Sequence, residues 1–307
     1  KLSAGFDYGF HAFDIYQYSF EQTKLYNTTK PFTSVGYQLA SGKEQMVKVN
    51  HTQNLKPNFN IGADYKLITA PGFFTSQNAN HKSFRLFGDY AGKKKRYHAT
   101  MIYLGNNIRN SENGGIQNAA DLLDPNRKDR YTVPVNLGGA AAFNNNPFVT
   151  SVLTGNLYRN SGLLLRQSYD FGRGEEIKIN DSDVVYKYHP SIRLQYTFRT
   201  DRNSFLYNDV NADSTVYSNW YNLQLPTTKD TVSFSDKWNN STHELSIIQY
   251  PNPENLSRFF MAGANYQQLS GKLSEGAISL SNFSLKAEFR NLTKNKKWEM
   301  LLKSQYF

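Results

Sequence analysis

The sequence predicts an all-β protein, an antiparallel transmembrane β-barrel of the outer-membrane type with short turns and some long polar loops. Three observations predict it. Apolar residues recur at every second position in segment after segment, the period of a strand whose two faces differ. No run of ~18 apolar residues occurs and mean hydropathy is −0.63, which removes transmembrane helices but not strands, since these span with ~9–11 residues. The 21 Tyr, 21 Phe and 3 Trp share the alternating apolar faces with Gly and Ala, whereas a close-packed sandwich core would be richer in Val, Ile and Leu. With 307 residues, 39% of them hydrophobic, the chain can fold around a sizeable apolar surface. It holds 0 Cys, so disulfides, thiolate metal sites and cysteine nucleophiles are excluded. It starts at Lys1-Leu2-Ser3-Ala4 without Met or leader and so reads as a processed or excerpted sequence.

The strands follow in order. Over 58–67, Phe59, Ile61, Ala63, Tyr65 and Leu67 interleave with Asn58, Asn60, Gly62, Asp64 and Lys66. Phe84, Leu86, Gly88 and Tyr90 oppose Arg85 and Asp89, and after Gly92-Lys93-Lys94-Lys95 come Tyr97, Ala99, Met101 and Tyr103, so the two segments predict a hairpin. Ile192, Leu194, Tyr196 and Phe198 alternate with Arg193, Gln195, Thr197 and Arg199. Phe260, Ala262, Ala264 and Tyr266 oppose Asn265 and Gln267; Phe283, Leu285, Ala287 and Phe289 alternate with Ser284, Lys286, Glu288 and Arg290; Trp298, Met300 and Leu302 lead to Tyr306. Ser41-Gly42-Lys43 and Asn54-Leu55-Lys56-Pro57 read as short connections, and 105–148 and 200–242 as long polar loops, with a helical turn expected within Ala119–Leu123. Short turns on one side and long loops on the other are the asymmetry of outer-membrane barrels.

A soluble β-sandwich or propeller would also alternate. The ends of the apolar segments weigh against it. Tyr90, Tyr97, Tyr103, Phe198, Tyr266, Phe289, Trp298 and Tyr306 gather there, where amphipathic rings sit at the headgroup level of a membrane.

The run Glu44-Gln45-Met46-Val47-Lys48-Val49-Asn50-His51-Thr52-Gln53-Asn54-Leu55-Lys56-Pro57-Asn58-Phe59-Asn60-Ile61-Gly62 resembles the putative porin family of Bacteroidota outer-membrane proteins. Further landmarks of that family have counterparts in the same order: Pro31-Phe32-Thr33, Gly72-Phe73-Phe74-Thr75-Ser76-Gln77, Asn113-Gly114-Gly115-Ile116, Val133-Pro134-Val135-Asn136-Leu137 and Gln167-Ser168-Tyr169-Asp170-Phe171-Gly172. The resemblance runs to about Tyr217 and weakens beyond it. It implies an outer-membrane barrel of porin type in a Gram-negative bacterium, reached through a cleaved signal peptide absent from this chain. It also implies that residues 1–307 form one barrel domain that is part of a longer barrel, and it supplies no catalytic residues and no cofactor.

If the barrel reading holds, the wet face is the working surface. Its candidate pore-lining residues are Asp64, Lys66, Arg85, Asp89, Arg193, Gln195, Arg199, Lys286, Glu288 and Arg290, because opposed charges across a water-filled constriction orient polar solutes and set ion preference. An excess of Lys and Arg there would favour anions. The segment 105–148 is the candidate constriction or plug. Enzyme chemistry finds no support: Gly271-Lys272-Leu273-Ser274-Glu275-Gly276 lacks nucleophile-elbow spacing and reads as a hairpin turn. Asp209–Asp213 begins like a calcium loop, but Ser214 stands where Gly is needed and Trp220 where the bidentate Glu belongs. Asp181, Asp183, Glu175 and Glu176 read as solvated carboxylates of a polar loop, and the six His show no metal-ligand spacing. His51, inside the family-like stretch, reads as structural through bonds to loop backbone. The basic turns Lys93-Lys94-Lys95-Arg96 and Lys294-Asn295-Lys296-Lys297 lack any nucleic-acid motif and in a membrane would meet lipid phosphates. Expected partners are therefore outer-membrane lipid and lipopolysaccharide, small polar solutes and an envelope protein complex, not nucleic acid. A closed or plugged barrel serving as an accessory subunit stands as the alternative function, followed by a soluble β-rich glycan binder, which would carry aromatic platforms on its loops instead of an apolar belt.

Overall fold

The computed structural model describes Gly9 and residues 11–138, 152–178, 184–225, 229–292 and 298–306. Eleven strands form one sheet in strict chain order: β1 Phe32–Leu39, β2 Gln45–Lys56, β3 Phe59–Ala70, β4 Ala79–Ala91, β5 Tyr97–Ser111, β6 Thr154–Lys178, β7 Val184–Asp213, β8 Lys229–Gln249, β9 Arg258–Leu273, β10 Gly276–Leu292 and β11 Glu299–Tyr306. Every neighbouring pair is antiparallel. This is an all-β meander of barrel type, and β1 and β11 are its two unjoined edges. The one α-helix among the described residues, α1 (Ser214–Tyr221), is capped by Asp213, whose side chain accepts from the N–H groups of Thr215 and Val216. No described helix is long and apolar enough to cross a membrane.

Alternation and register together put all the apolar sets on one face. Asp64 pairs with Asn50 on one side and Arg85 on the other, Arg85 with Leu104, Leu104 with Gly162, and Gly162 with Asp201. A one-residue slip anywhere would invert a whole strand. The opposite face carries Leu86, Met101, Tyr103, Leu194, Tyr196, Leu245, Ile247, Phe283 and Leu285, all exposed, with Leu245 at 52% and Ile247 at 54%. A continuous exposed apolar wall across so many strands would be untenable in water, where single apolar patches rarely exceed a few hundred Å².

The sheet is curled. A cavity beside the first face is lined by residues of β5, β6, β7, β8 and β9 together, whereas on a flat sheet β5 and β9 would lie about 19 Å apart at ~4.8 Å per step. The residues within the curl define the inner face.

Several connections are shorter than the sequence suggests. Strand β2 runs through Asn54 to Lys56 with a register shift, so only 57 and 58 turn the chain. The expected loop 200–242 is mostly strand: β7 continues to Asp213 and β8 begins at Lys229. These ladder residues mix Phe205, Leu206, Tyr207, Phe234 and Trp238 with Asn, Ser, Asp and Arg, so no clean alternation marks them as strand. Residues 105–111 are likewise the end of β5. Glu175 and Glu176 lie in β6 opposite Lys187 and Tyr186, while Asp181 and Asp183 fall outside the described residues. The remaining expectations for connections agree with the structure: Ser41–Lys43 and Ala119–Leu122 are single 3₁₀ turns, and Leu273 joins Gly276 through a hairpin turn.

Candidate functional site: the inner face and its N-terminal strap

All ten charged or polar residues singled out for the wet face share the inner side of the sheet. They are not free charges. Arg85 donates from Nε (2.8 Å) and Nη2 (2.5 Å) to Asp64 Oδ2. Arg193 grips Asp170, itself 2% exposed, with both ends of its fork at 2.6 and 2.8 Å. Arg199 donates to Asp201 at 2.7 Å and to Glu21 at 2.9 Å. Lys286 reaches Glu244 at 2.6 Å, Arg290 reaches Glu299 at 2.8 Å and Glu288 receives Lys303 at 3.2 Å. Asp89 accepts from the Thr100 hydroxyl at 2.7 Å, Gln195 stands opposite Ser168, and Lys66 lies opposite Lys48 with its Nζ 4.7 Å from the Tyr18 ring centre. Two-point pairing fixes the Arg85 and Arg193 guanidinium groups in orientation as well as in charge. Asp64, Asp170, Asp201, Glu244, Glu288 and Glu299 are each matched to a base in this way, whereas Lys66 faces a like charge and Asp89 a neutral hydroxyl.

The second component precedes β1. Residues 11–28 run as a strap along the inner face. At the end where β2 turns into β3, the Thr28 backbone N–H donates to Asn54 Oδ1 and the Asn54 N–H to Thr28 Oγ1, each at 3.2 Å, and Asn54 Nδ2 donates to Asn27 at 2.8 Å. Midway, Asn106 acts as a substitute strand: its Oδ1 accepts from the Tyr18 N–H at 2.8 Å and its Nδ2 donates to the Tyr18 carbonyl at 3.0 Å. Near the opposite end Tyr16 stacks on His81 with ring centres 4.7 Å apart. The strap therefore crosses the inner face from the turn end to the end that carries 71–78, 112–138 and 214–225.

Burial anchors it. Phe20 is 5% exposed in a cluster with Phe87, Ile102, Leu104 and Leu164, beneath the Arg199 guanidinium at 4.8 Å. Gly162 makes room, because a Cβ there would stand 2.7 Å from both the Phe20 ring and Asp201 Oδ1. Phe13 and Tyr16 pack on a second cluster formed by Ile108, Tyr158, Trp238 and Leu269. Tyr18 lies between Lys66 and Arg85, and burial, then Asp64, push its phenol up to about 12, so it stays neutral. Burial also pushes Glu21 up, but a backbone hydrogen bond and Arg199 outweigh this and leave its carboxyl below the usual range.

Part of the segment expected as a constriction or plug, 105–148, is described, and its Leu137 packs with Tyr207 and Tyr217 at the loop end of the sheet. Past β5, residues 112–138 fold over the β3–β4 connection: Tyr131 donates to the Gly72 carbonyl at 2.6 Å, Thr75 donates to the Tyr131 carbonyl at 2.9 Å, and Ile116 bridges Val135. Residues 139–148 are outside the described part. Asp209, fully buried, accepts from Thr154 and Tyr217 at 2.8 and 2.9 Å and ties α1 to β7, so the calcium-loop carboxylate is spent on structure. Burial and the neighbouring Tyr207 push the Tyr217 phenol far up, which keeps it a donor to Asp209.

The aromatics expected at a membrane interface sit on the outer side of the sheet or just before it. Tyr90 and Tyr97 adjoin at 6.3 Å, Phe289 packs on Phe260 at 4.6 Å, and Phe198 lies beside His243, which bonds Tyr196 at 2.8 Å. Tyr103 contacts Phe84 at 5.7 Å, Tyr266 stands opposite Phe283, Tyr306 opposite Leu285, and Trp298 just precedes β11, 77% exposed. His51 also faces outward and bonds the Thr33 hydroxyl at 2.7 Å, not loop backbone. Among the described residues no group of His, Asp and Glu could hold a metal ion. Lys294–Lys297 lie outside the described residues, while Lys93–Lys95 form the exposed β4–β5 turn.

Single-strand reading missed the strap, although Phe13, Tyr16, Tyr18, Phe20 and Tyr26 form a dense aromatic run without clean alternation. It also missed the carboxylate partners Asp170, Asp201 and Glu244, whose roles depend on register between distant strands. The putative porin family model matches residues 2–306, so the likeness continues through the whole sheet and does not fade after Tyr217. No curated protein matches the chain. The chain belongs to the putative porin family.

Proposed function

We propose that this family member is an outer-membrane, porin-like channel for passive diffusion of small polar solutes in a Gram-negative envelope, exported through a cleaved signal peptide and surrounded by lipid and lipopolysaccharide. One observation carries the reading: a curled sheet with an exposed apolar wall outside and matched ion pairs inside is the arrangement that separates lipid from a water path. No covalent chemistry and no cofactor enter it; the residues orient solutes and exclude lipid. Single-channel conductance of the full-length, detergent-extracted protein in a planar lipid bilayer tests it. Reproducible, salt-dependent steps with weak preference between cations and anions are expected, and a protein that inserts yet stays silent refutes an open channel.

The strap favours a second reading. An inner face occupied by the chain's own aromatic segment suits a plugged barrel acting as an accessory subunit of an envelope complex. Silence in the bilayer together with stable co-purification of other envelope proteins would support that role instead.

A further inference from the structure

Between the strap and the sheet lies a cavity of about 240 Å³, lined chiefly by Gln17, Asn203, Asn240, Arg199, Asp201 and Trp238. At ~30 Å³ per water it has room for about eight waters, less than the volume of a typical drug site. Its polar lining is unusually well divided between donors and acceptors. Asn203 Oδ1 is occupied, accepting from the Tyr158 hydroxyl and from Asn160 Nδ2 at 2.8 Å each, which among the described residues leaves the Asn203 amide hydrogens uncommitted. Asn240 Oδ1 accepts from Gln267 at 2.9 Å, which among the described residues leaves its amide hydrogens uncommitted as well. Toward the described residues Asp201 uses Oδ2 for Arg199 and keeps Oδ1, while Arg199 uses Nε and Nη1 and keeps Nη2. One cation faces two carboxylates, Asp201 and Glu21, so an anion gains nothing here. Trp238 and Tyr158, 5% and 3% exposed, supply rigid apolar walls.

Amide donors, a carboxylate oxygen and fixed aromatic walls, in a pocket where one cation faces two carboxylates, match an uncharged solute that both donates and accepts and carries C–H faces. We propose that this cavity is a binding site for a neutral, monosaccharide-sized polyol. The site rests on the polar-solute reading above and names its substrate class. Solutes crossing the inner face would pause there, held by Asn203 and Asn240 against Trp238.

Trp238 is a natural reporter, because the other two tryptophans, Trp220 and Trp298, are 71% and 77% exposed and replaceable. The full-length Trp220→Phe, Trp298→Phe protein in detergent is titrated with glucose, galactose, glucuronate and inorganic phosphate while Trp238 fluorescence is followed. A saturable change with a neutral hexose in the millimolar range is expected, weakened at least tenfold in Asn240→Leu. Asn203→Leu serves as the second variant, and heat-modifiability on gels establishes that each is folded. No saturable change with either hexose overturns the site, as does an equal response in folded Asn240→Leu or a response confined to glucuronate or phosphate. Conductance in NaCl is scored separately: a silent bilayer with an intact titration removes the channel and keeps the site, and a conducting protein without titration removes only the site.

Discussion

Replacing Phe20 by Ala should release the N-terminal strap without unfolding the sheet. Phe20 is 5% exposed among Phe87, Ile102, Leu104 and Leu164, and its ring lies 4.8 Å below the Arg199 guanidinium. Burying a phenylalanine is worth about 1.5–3 kcal/mol, and a cation–π contact adds about 0.5–1 kcal/mol or more when desolvated. The docked strap should therefore lose about 2–4 kcal/mol, which at ~1.4 kcal/mol per decade is roughly 30- to 1,000-fold in its opening equilibrium. The strands lose no ladder hydrogen bond, so their stability is expected to change far less. Hydrogen exchange measured by mass spectrometry on peptides covering 13–26 reads the opening directly, with the Tyr18 amide, held by Asn106, as the most informative site. Exchange accelerated by the stated factor in the strap alone is the expected result. Unchanged exchange in the variant, or wild-type exchange already at the rate of a free peptide, would refute the reasoning that burial holds the strap.

Three further outcomes follow from the same contacts. Asn106→Ala removes both hydrogen bonds to the Tyr18 backbone and should cost the strap about 1–3 kcal/mol, seen as faster exchange at Tyr18 with Phe20 still in place. Acid should loosen the strap as well: the Glu21 carboxyl lies below its ordinary value of 4.5 when docked, so its contribution is full above pH 4.5 and disappears as pH falls through the docked value; Glu21→Gln should abolish that pH dependence of strap exchange. Ile247→Arg puts a charge on the apolar wall and should cost about 2–4 kcal/mol in reversible folding into lipid vesicles if the residue lies near the bilayer midplane, whereas a water-facing sheet would lose almost nothing.

Strand existence and facing were largely legible because the period of two survives in a single strand: the sets around Asp64, Arg85, Arg193 and Lys286 all fall on the face that alternation assigns them. Strand length was not. Beyond Thr200 the β7 residues Phe205, Leu206 and Tyr207 follow one another among Asp, Arg, Asn and Ser, so the period of two is lost and strand and loop look alike until Asp201 is paired with Gly162 and Asn240. The strap was hidden for a related reason. Its aromatics bind through a curl made by strands some 60 to 260 residues away, and only the closed-up register brings Leu104, Leu164 and Trp238 under Phe20 and Tyr16. Asp170 shows the same limit within a family-like landmark: Gln167–Gly172 could be placed by resemblance, but its role as the buried partner of Arg193 required the β6–β7 register.

The central claim is that one face of this sheet meets lipid and the other meets water. Because the chain contains 0 Cys, single cysteines can be placed one at a time along 283–290 of β10 and labelled with a membrane-impermeant maleimide in the protein reconstituted into lipid vesicles. Labelling with a period of two is predicted, strong at positions 286, 288 and 290 and weak at 283, 285, 287 and 289, with position 284 set aside because Ser284 is buried. Uniform labelling, or the opposite phase, would contradict the assignment of both faces.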